Sequence, residues 1–319
     1  MKKILCVLMS CLLFVMAGCS GHSKNLKFGA ADIGGVYYSF ASTFTQLADK
    51  EIDGYTFETK TTAGSVANLR LISDGYIDLA IVQADLLSDA YNATGTFADK
   101  KYQKGYKAVA SLYTECCQIV VRKDSGITGI DDLINKTVSV GASESGSEKN
   151  AEQILKMSGI TDELINKVNM DYTEAAEKLK AGEIDAFFCT AGTRTEVIGQ
   201  LSKECDICLI SLDDKWIDKM LSAYSLCEKY IIPAGTYNGQ DSDVTTIGVK
   251  AVLIAKQSLS DDVIKNVTKT IYEHADDFKY ATSLDISFDI NTAADGVDIP
   301  FHSGAAAYYA EHGINVLTE

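Results

Sequence analysis

Short apolar runs alternate with helical patterns along most of this chain, and this alternation constrains the fold more than any other feature. The run LKFGA leads through a turn into a segment where Phe40, Phe44 and Ala48 recur at helical spacing. YTFETKTT, a short helical stripe and the apolar run IDLAIVQ follow. Strands that alternate with helices predict an α/β protein with mostly parallel strands flanked by helices.

A helix, turn and strand pattern occurs twice, which indicates two similar lobes. LRLISDGYIDLAIVQAD (69–85) aligns with AEKLKAGEIDAFFCTAG (176–192), so that Gly75-x-Ile-Asp falls on Gly182-x-Ile-Asp. Two similar units within one sheet remain the alternative. The extended run that starts at Lys107, AVASLYTECCQIVVRKDSG, is longer than one small sheet needs, and we interpret it as a crossover between lobes.

The N-terminus has the features of a bacterial lipoprotein signal. Two lysines precede an apolar run that is too short for a convincing membrane span, and Met-Ala-Gly-Cys resembles a lipobox ending at Cys19. We expect a signal peptide at 1–18, a tether at 19–25 and a lipid anchor on Cys19. The protein would then lie outside the cytoplasm, at the cell surface or in the periplasm. An uncleaved anchor or plain secretion is the alternative.

Charge and cysteine content exclude several classes of partner and site. The formal net charge is -15 and no basic cluster follows the signal, so nucleic acid is not an expected partner. Cys205 and Cys208 form a C-x-x-C without a second pair or a nearby histidine, which is a poor zinc site. A local disulfide and buried thiols both remain open. No metal is expected.

No catalytic or nucleotide-binding motif is present. His274, His302 and His312 lie in no hydrolase or zinc-protease motif, and His302 is better explained as a helix cap or a surface residue. Gly34-Gly35 lacks the G-x-G-x-x-G spacing, and the T-A-G-S turn lacks the lysine of a phosphate-binding loop. We therefore expect no enzyme and no cofactor.

Three turns of small and hydroxyl residues each lead from a predicted strand into a helix. Their sequences are ADIGGVYY, TTAGSVAN and GASESGSEKN. Such turns expose backbone N–H groups at the positive end of a helix dipole, which suits a carboxylate or another anion. They follow strands, and ligands of open parallel sheets bind at the carboxyl ends of strands. Simple helix capping explains any one of them alone.

Taken together, these segments resemble the TAXI family, the substrate-binding proteins associated with TRAP transporters. The run from Thr62 to Gln83 and the run IPAGTY carry most of the resemblance, which also includes IVVRKDSGI and PFHSGAAAYYAEHGI. It implies a class II type periplasmic-binding-protein fold of two lobes, with parallel-dominated sheets and a ligand cleft between the lobes. Lobe 1 would comprise 26–112 plus 228–319, and lobe 2 would comprise 113–227.

The resemblance also implies a function. The protein would capture a small anionic or zwitterionic solute and deliver it to the membrane subunits of a TRAP permease. The solute would be glutamate, glutamine or a dicarboxylate-like compound. An ABC-type substrate-binding lipoprotein and a ligand-sensing adaptor lipoprotein are the alternatives.

The expected ligand-binding residues lie in the three turns and at the ends of the repeated strands. They are Gly34, Gly35, Val36 and Tyr37; Ala63, Gly64, Ser65 and Asn68; Gln83; Ser145, Gly146 and Ser147; and Thr190, Ala191 and Gly192. Two charged residues depart from the family pattern. Arg194 would either pair with an anionic ligand or point to solvent, and Glu144 would oppose a bound carboxylate unless it points away.

Overall fold

The computed structural model describes residues 23–99, 104–283 and 288–319. The predicted signal peptide and the predicted lipidation site, Cys19, lie outside the described residues. The first strand already begins at Lys24, inside the predicted tether.

Strands and helices alternate through the first part of the chain, as the sequence predicts. They are β1 (Lys24–Gly29), α1 (Val36–Glu51), β2 (Tyr55–Lys60), α2 (Ser65–Ser73), β3 (Leu79–Gln83) and α3 (Ala84–Asn92). The long strand β4 (Tyr106–Arg122) follows and coincides with the predicted crossover run.

The alternation then restarts in the middle of the chain, and the described part of the chain ends with two strands followed by three α-helices. The middle elements are β5 (Thr137–Ser139), α4 (Gly146–Met157), β6 (Asn166–Val168), α5 (Tyr172–Ala181), β7 (Ala186–Ala191), α6 (Glu196–Glu204), β8 (Ile207–Leu209) and α7 (Asp214–Ala223). The last elements are β9 (Cys227–Ile232), β10 (Val244–Lys256), α8 (Asp261–Glu273), α9 (Ala275–Thr282) and α10 (Ser303–Glu311).

The strands of the described chain form one hydrogen-bonded sheet, in the order β2-β1-β3-β10-β4-β7-β5-β6, with β8 on β4 and β9 on β10. β1 pairs in parallel with β2 and β3, and β5 pairs in parallel with β6 and β7. The long antiparallel strands β4 and β10 run between these two parallel sets. This arrangement confirms the predicted α/β fold of two lobes joined by crossover strands.

The repeated helix, turn and strand unit makes the same hydrogen bonds in both lobes. Gly75 and Gly182 both have positive φ, 83° and 76°, where the chain leaves a helix. Asp78 then accepts a hydrogen bond of 2.9 Å from a backbone N–H of β1, and Asp185 accepts one of 2.8 Å from a backbone N–H of β5. Each aspartate thus fastens its own strand to the neighbouring parallel strand.

Separate hydrophobic cores underlie the two lobes. One large cluster joins β1, β3, α1, α8 and α10, and contains Phe40 stacked on Phe278 at a centroid distance of 4.4 Å. Two further clusters lie on opposite faces of β7. Tyr237 and Ile247 pack into these second-lobe clusters. The predicted lobe boundaries remain a proposal, and this packing favours placing the second one after Ile247 rather than at 227/228.

The cysteines of the described chain are all free thiols. Cys116, Cys117, Cys189 and Cys227 are buried, and Cys205 and Cys208 are half-buried. Of the two alternatives that the sequence leaves open, the structure therefore has thiols and no local disulfide.

Candidate ligand-binding site

A cavity lies between the two lobes, beside the crossover strand β4. The turns after β1, β2 and β5 and the ends of β3 and β7 form its walls, so it lies at the carboxyl ends of the parallel strands. It encloses about 450 Å³ of space that protein atoms do not occupy, its opening to solvent included. This position is where the sequence predicts a ligand.

Most of the residues predicted to bind a ligand line this one cavity. From lobe 1 they are Gly35, Val36, Tyr37, Ala63, Gly64, Ser65 and Gln83, and from lobe 2 they are Ser145, Gly146, Ser147, Thr190 and Ala191. Residues as far apart as Gly35 and Ala191 therefore meet at a single site.

Three predicted residues lie outside the cavity walls, and here the structure differs from the sequence prediction. Gly34 lines a separate surface cleft. The carbonyl of buried Gly192 accepts a hydrogen bond from the side chain of Thr195. Asn68 is fully buried, and its amide donates hydrogen bonds to the carbonyls of Ala30 and Ile81 at 2.7 and 2.9 Å. These bonds occupy its side chain, so Asn68 holds the turn in place from outside the cavity walls.

Several lining residues were not predicted from the sequence. They are Ala31, Asp32, Glu115, Ala142 and Tyr172. Glu115 had a signal that could have revealed it, because it is the one side chain of an ionised type, a carboxylic acid, in the mostly apolar run AVASLYTECCQIVV. Acidic side chains are rare in buried strands because burying them is costly, so one at this position indicates a functional site such as a cavity.

A buried hydrogen-bond network forms the lobe 1 wall and the floor of the cavity. The backbone N–H of Gln83 donates to Ser65 Oγ at 3.1 Å. The Tyr37 hydroxyl donates to Glu115 Oε2 at 2.7 Å. The network holds Glu115, which is 3% exposed, in a fixed orientation at the cavity.

Burial changes the acidity of both carboxyl groups in the cavity. It raises the pKa of Glu115 to about 8, although the hydrogen bonds from Tyr37 and Gln83 act in the opposite direction. Burial, followed by the negative charge of Asp171, raises the pKa of Asp32 to about 6. Both pKa shifts have the same main cause, because burial removes water from around the ionised carboxylate and so disfavours it.

The lobe 2 wall is a second hydrogen-bond network. The hydroxyls of Ser147 and Tyr172 lie 2.6 Å apart, the Tyr172 hydroxyl donates to the Thr190 carbonyl at 2.9 Å, and the Thr190 N–H donates to Ser147 Oγ at 2.8 Å. Ser145 caps α4 by accepting a hydrogen bond from the Glu148 N–H at 3.0 Å. These bonds fix the end of β7 against the start of α4.

The N-termini of α1, α2 and α4 all face the cavity. Gly35 and Gly64 are the N-cap residues of α1 and α2, and neither offers a side chain to cap its helix. The first N–H groups of an α-helix have no partner within the helix, and they attract anions together with the helix dipole. The three turns singled out in the sequence therefore place three helix N-termini at one cavity, where they favour negative charge.

The two lobes are in direct contact around the cavity. The Ala67 N–H donates to the Glu144 carbonyl at 3.1 Å, and the Glu144 carboxylate accepts hydrogen bonds from Arg70 Nε and Nη2 at 3.1 and 2.6 Å. Glu144 thus points away from the cavity and pairs with the opposite lobe. Arg194 is exposed and lines the same surface cleft as Gly34, so it does not reach the cavity. The lobes are closed on each other.

The described chain has neither a metal cluster nor a membrane-spanning helix. Across residues 23–99, 104–283 and 288–319, no group of three or more His, Cys, Asp or Glu side chains could hold a metal ion. No helix within these ranges is both long and apolar enough to cross a membrane. His302 caps α10 by accepting a hydrogen bond from the Gly304 N–H at 3.1 Å, as expected of a cap.

Residues 28–313 match the model of the NMT1-like family. The chain belongs to this family.

Solved structures show the same fold at low sequence identity. One is PhnD1 from Prochlorococcus marinus in complex with methylphosphonate, with a TM-score of 0.58 and 12% identity over 83% of this chain and 93% of that one. Another is a putative L-cystine ABC transporter protein from Listeria monocytogenes, with a TM-score of 0.52 and 14% identity over 82% and 94%. The NMT1-like chain therefore has the fold of two-lobed periplasmic binding proteins.

Proposed function

We propose that this protein captures a small solute outside the cytoplasm and delivers it to a membrane transporter. The main observation behind the proposal is the cavity, whose walls come from both lobes. Contacts between the lobes, such as the ion pair of Arg70 with Glu144, hold it closed. A site shared between two lobes is complete only when the lobes are together, so a bound solute stabilises the closed state. No catalytic role for the protein is proposed.

The energy that such a site must supply is modest. A micromolar dissociation constant corresponds to roughly 8 kcal/mol. Charge-assisted hydrogen bonds from helix N-termini and buried side chains are among the stronger contacts that a protein offers. The lining is small and rich in alanine, glycine and serine, so the site suits a small metabolite of the anionic or zwitterionic kind.

Two classes of transporter are candidate partners. The motifs TTAGSVANLRLISDGYIDLAIVQ and IPAGTY favour the membrane subunits of a TRAP permease, as in the TAXI family. The similarity in fold to a putative L-cystine ABC transporter protein favours an ABC-type partner equally. Uptake of labelled solute into cells separates the two, because dissipating the ion gradients stops TRAP transport, whereas depleting ATP at constant ion gradient stops ABC transport.

The sequence favours a position on the outer side of the cell membrane. Cys19 at the end of the lipobox-like motif would carry the lipid anchor, and the residues after it would leave the lobes free of the membrane surface. An anchor of this kind keeps the binding protein close to its permease, which raises the rate of repeated encounters.

A thermal-shift screen of the chain from residue 20 onwards tests solute binding. The screen covers amino acids, dicarboxylates, 2-oxo acids and phosphonates, and each hit is confirmed by titration calorimetry. We expect at least one class to raise the melting temperature in a concentration-dependent way with one site per chain. A screen in which no small solute shifts the melting temperature would overturn the proposal.

A further inference from the structure

The charge of the cavity is one-sided. Its lining contains two carboxyl groups, Asp32 and Glu115, and no lysine, arginine or histidine. The ionisable groups around Glu115 are Tyr37, Asp85, Tyr113, Cys116, Tyr172 and Cys189, and none of them can carry a positive charge. Among the described residues, those that line the cavity and surround Glu115 therefore offer no counter-ion to the cavity's two carboxyl groups.

A buried carboxyl group without a counter-ion has two stable outcomes. It takes up a proton, or it binds a cation that enters with a ligand. In the empty cavity, burial raises the pKa of Glu115, which favours the protonated carboxyl group. The 2.7 Å hydrogen bond from Tyr37 fixes the orientation of Glu115, so that its carboxyl group is in place to bind a cationic group of a ligand.

A second observation points to a ligand that donates hydrogen bonds. Gln83 Oε1 is buried without a hydrogen-bond partner, and Gln83 lines the cavity. As a side-chain amide oxygen, this atom can only accept a hydrogen bond. The unmet group beside the carboxyl is thus an acceptor, which an ammonium group with its three N–H donors would satisfy.

The remaining wall has the opposite preference. The N-termini of α1 and α2, with Gly35 and Gly64 as uncapped N-cap residues, offer N–H donors to an anion. We propose that the cavity selects a solute with a protonated amine and no net negative charge, an amino acid zwitterion above all, with Glu115 as the ammonium-binding group. This inference rests on the proposed function, and it narrows the expected ligand class by disfavouring dicarboxylates and 2-oxo acids.

Solutes matched except at the amine position test the inference, and glutamine is added to compare a neutral with a charged side chain. The probes are glutamine, glutamate and 2-oxoglutarate in one series, and alanine, lactate and pyruvate in another, each titrated calorimetrically at pH 7. The amine is expected to improve affinity by about 30-fold or more, the usual cost of leaving a buried charge unpaired. Glutamine is expected to bind more tightly than glutamate.

The variant Glu115→Gln preserves the shape of the side chain and still accepts the hydrogen bond from Tyr37. It is expected to lose about 30-fold or more in affinity for the amine probe while its melting temperature is equal to or above that of the wild type. The matched control is Glu58→Gln, since Glu58 is half exposed on β2 and does not line the cavity. This control is expected to bind like the wild type.

Proton release gives an independent readout. Because Glu115 is mostly protonated in the empty cavity at pH 7 and must ionise to bind an ammonium group, binding should release about one proton. Titrations in buffers of different ionisation enthalpy measure this number. Glu115→Gln should release none.

The outcomes separate this inference from the proposed function. Oxo acids or dicarboxylates that bind as tightly as the matched amines would overturn the inference and leave solute binding intact. Wild-type affinity or wild-type proton release in Glu115→Gln would overturn it too. Failure of every probe and of the broader screen would overturn the proposed function itself.

Discussion

Gly146 lies directly against the side-chain amide of Gln83, so closely that a β-carbon on residue 146 would come within 2.4 Å of the amide carbon. Gly146 opens α4 in lobe 2 and Gln83 ends β3 in lobe 1, so the contact joins the two lobes at the cavity. A side chain at residue 146 would have to displace the Gln83 amide before the lobes could approach this far.

Replacing Gly146 with alanine should therefore impair closure. Because the contact exists only when the lobes are together, Gly146→Ala should weaken solute binding by about tenfold or more and leave the unfolding temperature of the solute-free protein unchanged. Titration calorimetry measures the first quantity, and thermal unfolding measures the second.

The matched control is Gly199→Ala on α6, where a β-carbon would meet nothing within 4 Å. It should bind solute like the wild type. Equal affinity in Gly146→Ala and Gly199→Ala would show that the contact between Gly146 and Gln83 does not limit closure.

The ion pair between Arg70 and Glu144 should contribute little and depend on salt. Both side chains are exposed by about a third or more, 35% and 41%, so solvent screens the pair and its worth is about 0.2–1 kcal/mol. Glu144→Gln should lower solute affinity by about 1.5-fold to 5-fold in low salt, with a smaller effect in high salt.

Glu204→Gln serves as its control, because Glu204 pairs with Lys180 at the surface of lobe 2 alone. A loss of affinity for Glu144→Gln that does not change with salt would contradict the ion-pair explanation.

Asn68 should prove essential for folding stability rather than for ligand contact. Its side chain donates to two buried carbonyls and accepts from Thr62 at 2.8 Å, so Asn68→Ala leaves several buried groups unpaired. We expect a loss of about 2–4 kcal/mol in the free energy of unfolding, measured by urea denaturation. The control is Asn266→Ala, since Asn266 is exposed on α8, and it should change the free energy of unfolding by less than about 0.5 kcal/mol. Full stability with lost affinity would place Asn68 in the binding site instead.

His274 should make the stability of lobe 1 depend on pH. Its ring lies 2.9 Å from Asp277 and 2.6 Å from Glu51, and the hydrogen bond to Asp277, followed by that to Glu51, raises the pKa of His274. A raised pKa stabilises the fold fully below the unfolded value of about 6.5, and the stabilisation is lost as pH rises through the folded value.

The difference in unfolding free energy between the wild type and His274→Gln should therefore be larger at pH 5.5 than at pH 8.5. Urea denaturation at both values measures it. A larger difference at pH 8.5 would mean that the neutral ring is the stabilised form.

Lipidation at Cys19 is a prediction from the sequence alone. Cys19→Ser should shift the protein from the membrane fraction to the soluble extracytoplasmic fraction, because the thiol that accepts the lipid is gone. Fractionation and immunoblotting measure the distribution, and the adjacent Ser20→Ala serves as the control. An unchanged membrane fraction in Cys19→Ser would exclude the anchor.

Local patterns predicted the fold and most of the cavity well. The repeated Gly-x-Ile-Asp predicted two similar units, and these make the same hydrogen bonds in the structure. The three small-residue turns predicted helix starts that meet at one cavity. Turn chemistry and periodicity are properties of neighbouring residues, so a sequence reveals them directly.

The sequence did not reveal what depends on partners distant along the chain. Asn68 looked like a ligand contact because nothing nearby shows that the carbonyls of Ala30 and Ile81 occupy its amide. Glu115 was overlooked because its importance comes from Tyr37 and Gln83, which fold onto it from other strands and helices. The packing of Tyr237 and Ile247 into the second-lobe clusters, which bears on the proposed second lobe boundary, is likewise a contact between distant parts of the chain.

Native mass spectrometry tests the central claim, a solute site shared by two closing lobes, most directly. The chain from residue 20 onwards is incubated with a mixture of amino acids, dicarboxylates and 2-oxo acids, beside Gly146→Ala at the same concentration. The account predicts one small-molecule adduct per wild-type chain, with the mass of an amine-bearing solute, and a much smaller adduct in Gly146→Ala. The absence of any adduct on the wild-type chain, or an equal adduct on both proteins, would contradict it.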